Sequence, residues 1–284
     1  MGVIVFLVAL LPLSGGSNVY LLKAESPGPD VGKIVPKVKK TAMILYGIYV
    51  SLTVVQIIIL LISKMPIFDA LTLSFGTAGT GGFAVRNSGF SEYTSFQQWV
   101  ITIFMILFGV DFSFYYLLLI KKFTSALKME EVRMYFIIVI TAIILISINC
   151  YGVYENVSET IKHSAFQVGA IITTTGYSTT DFDLWPEFSK MILILLMFVG
   201  ACAGSTGGGI KVSRIMIFFK SIIKELRIIA HPKRTHKITM NGRIVEHEIA
   251  RGVSVYMMAY LIMDQPNAEK LQRIFNQQNH TQRP

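Results

Sequence analysis

Apolar stretches about as long as a membrane bilayer is thick dominate this chain. Four of them cover residues 1–22, 43–62, 99–120 and 134–153. A helix needs roughly 20 apolar residues to cross the hydrocarbon core of a bilayer, so each stretch predicts a membrane-spanning helix. A fifth apolar stretch, 188–223, is longer than a single span and contains a cluster of glycines. The chain is therefore predicted to be an all-α integral membrane protein.

The composition agrees with a protein that contacts membrane lipid. Of the 284 residues, 52% are hydrophobic and 15% are charged, and the mean hydropathy is +0.56. Soluble domains carry about 25% charged residues. The net charge of +9 could indicate a nucleic-acid partner in a soluble protein, but here the basic residues cluster between apolar stretches and no nucleic-acid-binding motif accompanies them. A nucleic-acid partner is therefore not expected.

Basic residues lie mainly in alternate connectors, and this pattern predicts the orientation of the spans. The connector 23–42 holds five lysines, and 121–133 holds four basic residues. The loops 63–98 and 154–190 have fewer basic residues and contain several carboxylates. Because positively charged connectors stay on the cytoplasmic side, the loops 63–98 and 154–190 are expected on the outer side of the plasma membrane.

Two short, half-apolar segments, 65–80 and 158–175, each end in a cluster of threonine and glycine. Both segments are too short to cross a bilayer, and each lies between two longer apolar stretches. Gly82 and Gly176, which mark the clusters, are 94 residues apart. A span, a re-entrant half-helix and a second span form the repeating unit of many membrane pores. The pattern therefore predicts two copies of a span–re-entrant pore loop–span unit of the potassium-channel-like type.

The chemistry of these two clusters, 77–83 and 173–177, favours cation binding. Irregular backbone at membrane depth is tolerated only where it is buried in protein or lines a water-filled path. Glycine lets such a backbone align its carbonyl groups, which can replace the hydration shell of a potassium-sized ion. Thr80, Thr174 and Thr175 can add hydroxyl oxygens to such a path or brace its backbone. The two clusters therefore predict the logic of a selectivity filter for a potassium-sized ion.

The glycine cluster GSTGGG at 204–209 superficially resembles a phosphate-binding loop. In such a loop lysine follows the last glycine directly and Ser or Thr comes next, whereas here Ile210 precedes Lys211 and Val212 follows it. Each glycine costs a helix roughly 1 kcal/mol relative to alanine, so the cluster predicts a break in the fifth apolar stretch. Lys211 and Arg214 are expected to mark the return to the cytoplasmic interface.

Three segments resemble the Trk/Ktr-type potassium transporters. Residues 169–215, which include TTTGYSTTDF and GSTGGGIKVSRI, are similar to the third repeat of that family. Residues 68–90 resemble the filter of its second repeat, and AESPGP at 24–29 resembles the connector before it. The resemblance extends over about residues 1–263. It implies potassium uptake through a pore built from four repeats, each of which contributes one filter strand. The resemblance further implies K⁺ at the carbonyl groups of Gly82 and Gly176. The filter residues that it implies are Thr80, Gly81, Gly82, Thr174, Thr175, Gly176 and Tyr177.

The resemblance also implies a division of the chain and a role for the glycine cluster. The expected parts are the second span of the first repeat (1–22), a cytoplasmic connector (23–42), the second repeat (43–122, filter 77–83), the third repeat (134–223, filter 173–177, broken helix 204–209), a cytoplasmic loop (224–249), the start of the fourth repeat (250–263) and an atypical polar tail (264–284). Two of four repeats are thus expected, in a chain truncated at both ends. The residues of the broken helix are Gly204, Ser205, Thr206, Gly207, Gly208 and Gly209, which form either a gate below the filter or a packing kink without gating.

Two carboxylates and two rings are expected to support the filter. Asp111 lies within the predicted span 99–120, where a carboxylate is costly and usually faces the bundle interior or water. A hydrogen-bonded structural acid is the favoured interpretation, and attraction of cations is the alternative. Asp181 is expected to brace the outer filter loop or attract cations at the pore mouth. The rings of Phe83 and Tyr177 are expected to pack behind the filter strands.

The resemblance further implies a homodimer and a cytoplasmic nucleotide-binding regulatory subunit, for which the basic stretch 224–238 is a candidate docking surface. The same stretch could equally be a lipid-facing loop. No covalently bound cofactor is expected, and K⁺ is the transported ion. The alternatives are a non-conducting membrane assembly protein or the remnant of a broken transporter gene. A membrane enzyme using Ser205 or Cys202 as nucleophile is not expected. It would need a histidine or acid nearby at membrane depth, and the one candidate, Asp111, has no histidine beside it.

Overall fold

The computed structural model describes residues 38–86, 89–230 and 237–260. The span expected at 1–22, the segment 23–37 and the polar tail 264–284 lie outside the described residues. The chain divides into two compact units, one that extends to Ile215 and one that starts at Met216.

The first unit is built from helices. They are α1 (Val38–Ile62), α2 (Ile67–Ala78), α3 (Ser95–Phe108), α4 (Phe112–Leu119), α5 (Phe123–Leu127), α6 (Glu130–Asn149), α7 (Val157–Ile172) and α8 (Glu187–Val199), with a 3₁₀ turn at Phe182–Leu184 before α8. Helix α9 (Val212–Ala230) starts at the end of this unit and continues into the second.

Two of these helices are long and apolar enough to cross a membrane. They are the Met43–Ile62 part of α1 and the whole of α6. Helices α3 and α4 count as a third span only as a bent pair, because their axes differ by 91°. The expectation of one continuous span at 99–120 is therefore wrong.

Two residues at the junction, Gly109 and Asp111, favour the break between α3 and α4. A Cβ atom at Gly109 would overlap the hydroxyl group of Tyr135. The carboxylate of Asp111 then accepts the N–H of Ser113 at 2.8 Å and caps the start of α4. Glycine at a helix end and aspartate at the next helix start are ordinary terminators and caps, and together they favour two helices over one.

The order long helix, half-helix, shorter helix occurs twice, as α1–α2–α3 and as α6–α7–α8. The half-helices α2 and α7 end at Ala78 and Ile172, which are 94 residues apart like Gly82 and Gly176. Helix α2 packs against α1 and α3, and α7 packs against α6 and α8. Helix α7 also packs against α3, so the two repeats share one core.

The shared core is rich in aromatic rings. The ring centroid of Phe90 lies 4.6 Å from that of Tyr177 and 5.3 Å from that of Phe166. All three side chains are buried. Ring pairs at such separations add to the stabilisation that burial provides. The loop after the first half-helix is thus packed against the second half-helix and its filter segment.

The second unit has a small core of its own. Strands β1 (Thr239–Met240) and β2 (Arg243–Ile244) pair antiparallel across a turn in which Asn241 and Gly242 have φ values of 50° and 75°. This Asn-Gly pair is the usual sequence of a tight two-residue hairpin. The core side chains are Ile217, Ile238, Met240, Val245 and Val253. Residues 247–260, where the fourth repeat is expected to start, are helical.

Candidate ion filter and glycine loop

Both candidate filter segments leave their half-helices through the same backbone geometry. Thr80 and Thr174 have φ values of 51° and 58°, and Gly82 and Gly176 have values of 74° and 82°. Positive φ is uncommon for a residue with a branched side chain, and here it occurs at equivalent positions of two repeats. The backbone therefore turns sharply at the end of each half-helix in both copies.

Hydrogen bonds at the half-helix ends match in the same way. The N–H of Gly81 donates to the Gly76 carbonyl at 2.7 Å, and the N–H of Thr175 donates to the Ala170 carbonyl at 2.9 Å. These bonds satisfy some of the carbonyl groups that an ending helix leaves free. The remaining negative end of each helix dipole is directed toward the filter segment, where it favours a cation.

The two filter glycines are needed for different reasons. A Cβ atom at Gly82 would overlap the carbonyl oxygen of Thr175, so the first segment (77–83) lies directly against the second (173–177). A Cβ atom at Gly176 would meet nothing within 4 Å. Gly176 is therefore required by its positive φ alone, whereas Gly82 is also required by close packing.

The threonine hydroxyls next to the second segment brace the backbone. The Thr173 hydroxyl donates to the Gly169 carbonyl at 2.6 Å and lies 2.8 Å from the hydroxyl of Thr175. Both threonines are buried. In the first half-helix, the Thr77 hydroxyl donates to the Leu73 carbonyl at 2.7 Å. Thr77 and Thr173 begin the two predicted filter segments, but they were not among the named filter residues.

Tyr177 and Phe83 occupy different environments. Tyr177 is buried, and its hydroxyl donates to the Leu73 carbonyl of the other half-helix at 3.3 Å. Phe83 is 82% exposed among the described residues. The expectation that both rings pack behind the filter therefore fails for Phe83, because the described residues leave most of its side chain uncovered.

The predicted break at 204–209 is part of a longer loop, residues 200–211, which we call the glycine loop. Its two ends are joined by backbone hydrogen bonds from Lys211 to the Val199 carbonyl and from Val212 to the Ala201 carbonyl, both at 3.1 Å. A Cβ atom at Gly209 would lie 2.7 Å from the Cα of Gly200. Glycine therefore allows the two sides of the loop to come together.

The glycine loop contacts both filter segments. The N–H of Gly208 donates to the Thr174 hydroxyl at 2.7 Å, and the Thr80 hydroxyl lies 3.4 Å from the Thr206 carbonyl. A Cβ atom at Gly207 would lie 3.1 Å from the carbonyl oxygen of Thr173. The loop thus lies at the end of each filter segment that is nearer to its half-helix.

The glycine loop also fills the break between α3 and α4. The N–H groups of Cys202 and Thr206 donate to the carbonyls of Gly109 and Phe108, at 3.0 and 3.2 Å. In return, the N–H of Phe112 donates to the Gly204 carbonyl at 3.2 Å. Groups freed at one break are satisfied by groups freed at the other, as buried backbone requires.

Side chains of the loop region mostly hold its backbone. The Lys211 ammonium group donates to the Gly207 carbonyl, and the Ser205 hydroxyl donates to the Cys202 carbonyl at 2.6 Å. The Arg214 guanidinium lies 3.5 Å from the Ile210 carbonyl. The lysine that suggested a phosphate loop is therefore bonded within the loop itself.

Glu131 holds the glycine loop from another helix and was missed in the sequence. Its Oε1 atom accepts the N–H of Ala203 at 2.6 Å and the N–H of Ser213 at 3.1 Å. The side chain is buried in the first turn of α6. The one signal in the sequence that could have indicated Glu131 is a carboxylate in the first turn of an apolar helix.

The two acids selected from the sequence both cap local structure. Asp111 caps α4, and its Oδ1 atom lies beside Gly204 of the glycine loop. Asp181 is exposed and accepts the N–H of Asp183 at 3.0 Å, at the start of the 3₁₀ turn that follows the second filter segment. Within the described residues, no group of three or more His, Cys, Asp or Glu side chains is placed to hold a metal ion.

A polar cluster braces the loop after the first filter segment. The Tyr93 hydroxyl donates to the buried carboxylate of Asp69 at 2.9 Å, and the Arg86 guanidinium lies 5.0 Å from the Tyr93 ring centroid. Arg86 also pairs with Glu92 at 2.6 Å. Burial, and then the bond to Asp69, raises the pKa of Tyr93 to about 12. This cluster fixes the first half-helix to the loop that follows it.

Comparisons with known proteins agree with the geometry. The family model described as "Cation transport protein" (TrkH) matches residues 1–273. The Trk system potassium uptake proteins TrkH of Salmonella typhimurium and Escherichia coli are each 33% identical over 268 residues, which cover 93% of this chain and 56% of each relative. TrkG of Escherichia coli is 30% identical over 267 residues. The chain spans about half the length of the curated relatives it matches.

A solved structure supports the same assignment. The crystal structure of the potassium transporter TrkH from Vibrio parahaemolyticus matches with a TM-score of 0.75 and 26% identity, over 92% of this chain and 54% of that one. The predicted fold class, an all-α membrane protein of the potassium-channel-like type, is thereby confirmed.

Proposed function

Because the chain belongs to the TrkH family of cation transport proteins, we propose that it contributes two filter strands to a pore for potassium uptake across the bacterial plasma membrane. The observation that carries this proposal is the repeated geometry of the filter segments. At the same offset of 94 residues, each copy has a half-helix end, a threonine with positive φ and a glycine with positive φ. A coincidence of local turns does not account for this match.

The chemistry of the two segments suits a weakly hydrated cation. The half-helices direct their negative ends at the filter, and the backbone carbonyls of Gly82 and Gly176 serve as the proposed ligands of K⁺. Two strands surround an ion only in part. In the proposed pore, two further filter strands of the four-repeat arrangement complete the coordination.

The glycine loop acts as the gate of this pore. Its bonds to Thr174 and Thr80 place it against both filter segments, and its glycines give it the conformational freedom to move aside. Gating by a loop of this kind needs two discrete positions, of which the bonded one is the closed state.

Further parts of the proposal concern partners. The protein assembles as a homodimer and binds a cytoplasmic nucleotide-binding regulatory subunit, for which residues 224–238 provide basic docking groups. It is a transport protein and performs no covalent chemistry, so K⁺ is cargo rather than a cofactor.

Rubidium uptake by proteoliposomes in which the chain is assembled with the two further filter strands tests the proposal. The variant Gly176→Ala has a matched control in Gly152→Ala, because both glycines have positive φ and open space around a built Cβ atom. We expect Gly176→Ala to lower uptake at least about tenfold, since the filter backbone must leave its conformation, and Gly152→Ala to leave it unchanged. Absence of uptake by this four-strand assembly with the unmodified chain would contradict conduction and favour a non-conducting membrane assembly protein.

A further inference from the structure

Glu131 connects helix α6 to the backbone on both sides of the GSTGGG segment. One carboxylate oxygen, Oε1, accepts the N–H groups of Ala203 and Ser213. Ala203 precedes the loop's GSTGGG segment and Ser213 follows it, so a single atom bridges the backbone that enters this segment and the backbone that leaves it. The Glu131 side chain is only 4% exposed, and water does not compete for these bonds.

Both bonds end on one carboxyl oxygen, which can accept N–H groups whichever protonation state Glu131 has. Ser213 is the second residue of α9, where a helix leaves N–H groups without intrahelical partners and carries a positive dipole end. Glu131 thus caps one helix from the first turn of another. Its loss leaves two buried N–H groups unpaired, which is costly.

Several other bonds of the glycine loop join it to the filter segments or lie within the loop. The loop touches the filter through neutral groups, the Thr174 hydroxyl and the Thr206 carbonyl. The charged bond of Lys211 to Gly207 lies within the loop, so it moves with the loop and does not hold it in place. Glu131 lies on a separate helix, and one of its carboxyl oxygens holds the backbone on both sides of the GSTGGG segment.

We propose that Glu131 is a positioning residue that holds the glycine loop in its closed position, an inference that rests on the gating role proposed above. Because Glu131 lies two residues after Met129, the cap of α6, the position of the loop depends on the connector 120–129. A displacement of this connector withdraws the carboxyl group of Glu131 and frees the N–H groups of Ala203 and Ser213 together.

The two cysteines of the chain provide a test of how firmly the glycine loop is held, because a thiol reacts faster when it becomes exposed. Cys202 lies in the glycine loop next to Ala203, and Cys150 lies at the far end of α6; both are free and buried. The background Cys150→Ser leaves Cys202 as the single thiol, and Cys202→Ala leaves Cys150. The measurement is the rate at which N-ethylmaleimide modifies each thiol in proteoliposomes that contain the full chain.

We expect Glu131→Ala to raise the rate at Cys202 at least about tenfold and to leave the rate at Cys150 within about twofold, because the loop opens locally while α6 stays folded. Glu131→Gln keeps an uncharged acceptor, so we expect a smaller increase. The matched control is Glu187→Gln, which removes a charge from the first turn of α8, where the side chain is 91% exposed.

Two results would overturn the inference. An unchanged rate at Cys202 would show that Glu131 does not hold the loop. Equal increases at Cys202 and Cys150 would show that Glu131 supports the fold as a whole. Labelling requires no ion flow, so failure of the proposed conduction leaves these rates unaffected and is detected separately. Where rubidium uptake is measurable, Glu131→Ala should increase it, and a decrease with Cys202 exposed would contradict closure by this loop.

Discussion

The backbone N–H of Gly208 lies 2.7 Å from the hydroxyl oxygen of Thr174, so the glycine loop is bonded directly to the second filter segment. The same hydroxyl donates to the Thr173 carbonyl at 2.7 Å. Thr174 therefore links the loop to the end of a half-helix. Any movement of the loop away from the filter must break this bond.

We expect Thr174→Val to weaken the closed position of the glycine loop. Valine keeps the branched shape at a residue whose φ is already 58°, so the variant removes the hydroxyl with little other change. Loss of one such bond is worth about 1 kcal/mol, which corresponds to a several-fold increase in the labelling rate of Cys202. Thr174→Ser retains the hydroxyl and serves as the control. If valine and serine behave alike, the bond does not hold the loop.

The two filter glycines should differ in how they tolerate alanine. Gly176→Ala adds only the cost of positive φ, about 1 to 2 kcal/mol in the free energy of unfolding. Gly82→Ala also forces a methyl group against the Thr175 carbonyl oxygen, so we expect the free energy of unfolding to fall by at least about 3 kcal/mol.

Unfolding of both alanine variants in mixed micelles measures this difference, with Gly152→Ala as the reference for positive φ alone. The difference in the free energy of unfolding between the Gly82 and Gly176 variants shows whether the two filter segments pack against each other at Gly82. Equal losses at Gly82 and Gly176 would mean that the segments do not pack against each other at Gly82.

Local patterns in the sequence are enough to predict the half-helices and the fold class. The segments expected at 65–80 and 158–175 correspond to helices Ile67–Ala78 and Val157–Ile172. Apolar length, threonine and glycine clusters and their repetition are all features of neighbouring residues. A repeated local signal therefore needs no knowledge of distant contacts.

The contacts around the glycine loop could not be predicted in this way. Glu131 is 72 residues from Ala203 and 82 from Ser213, and neither the charge nor the spacing identifies these partners. The bend after Gly109 depends likewise on the glycine loop, which bonds to the backbone there. Gly109 and Asp111 were a local signal of a break, but the apolar residues around them favoured a continuous span. Tertiary partners decide where a long apolar stretch is continuous and where it breaks.

The bond between Tyr93 and Asp69 should make stability depend on high pH. Burial and this bond raise the pKa of Tyr93 from 10.0 to about 12 in the folded protein. The stabilisation is therefore fully present below pH 10 and is lost as the pH rises to about 12. Other tyrosines titrate in the same range, so the difference between the unmodified chain and Tyr93→Phe is the informative quantity.

We expect Tyr93→Phe to lower the free energy of unfolding by about 1 to 3 kcal/mol at neutral pH, because Asp69 loses a partner in a buried site. The difference from the unmodified chain should shrink between pH 10 and about 12. A difference that stays constant over this range would show that the Tyr93 hydroxyl does not titrate in the bonded site.

The role of Asp111 can be decided by comparing two substitutions. Asparagine caps helix starts as well as aspartate does, whereas alanine does not, and loss of a cap costs about 1 kcal/mol. If Asp111 acts as the cap of α4, Asp111→Asn should change the free energy of unfolding and rubidium uptake little, and Asp111→Ala should lower the stability. If the charge attracts cations, both variants should reduce uptake alike. Because the Asp111 carboxylate accepts the Ser113 N–H at 2.8 Å and lies beside Gly204, we expect the first result.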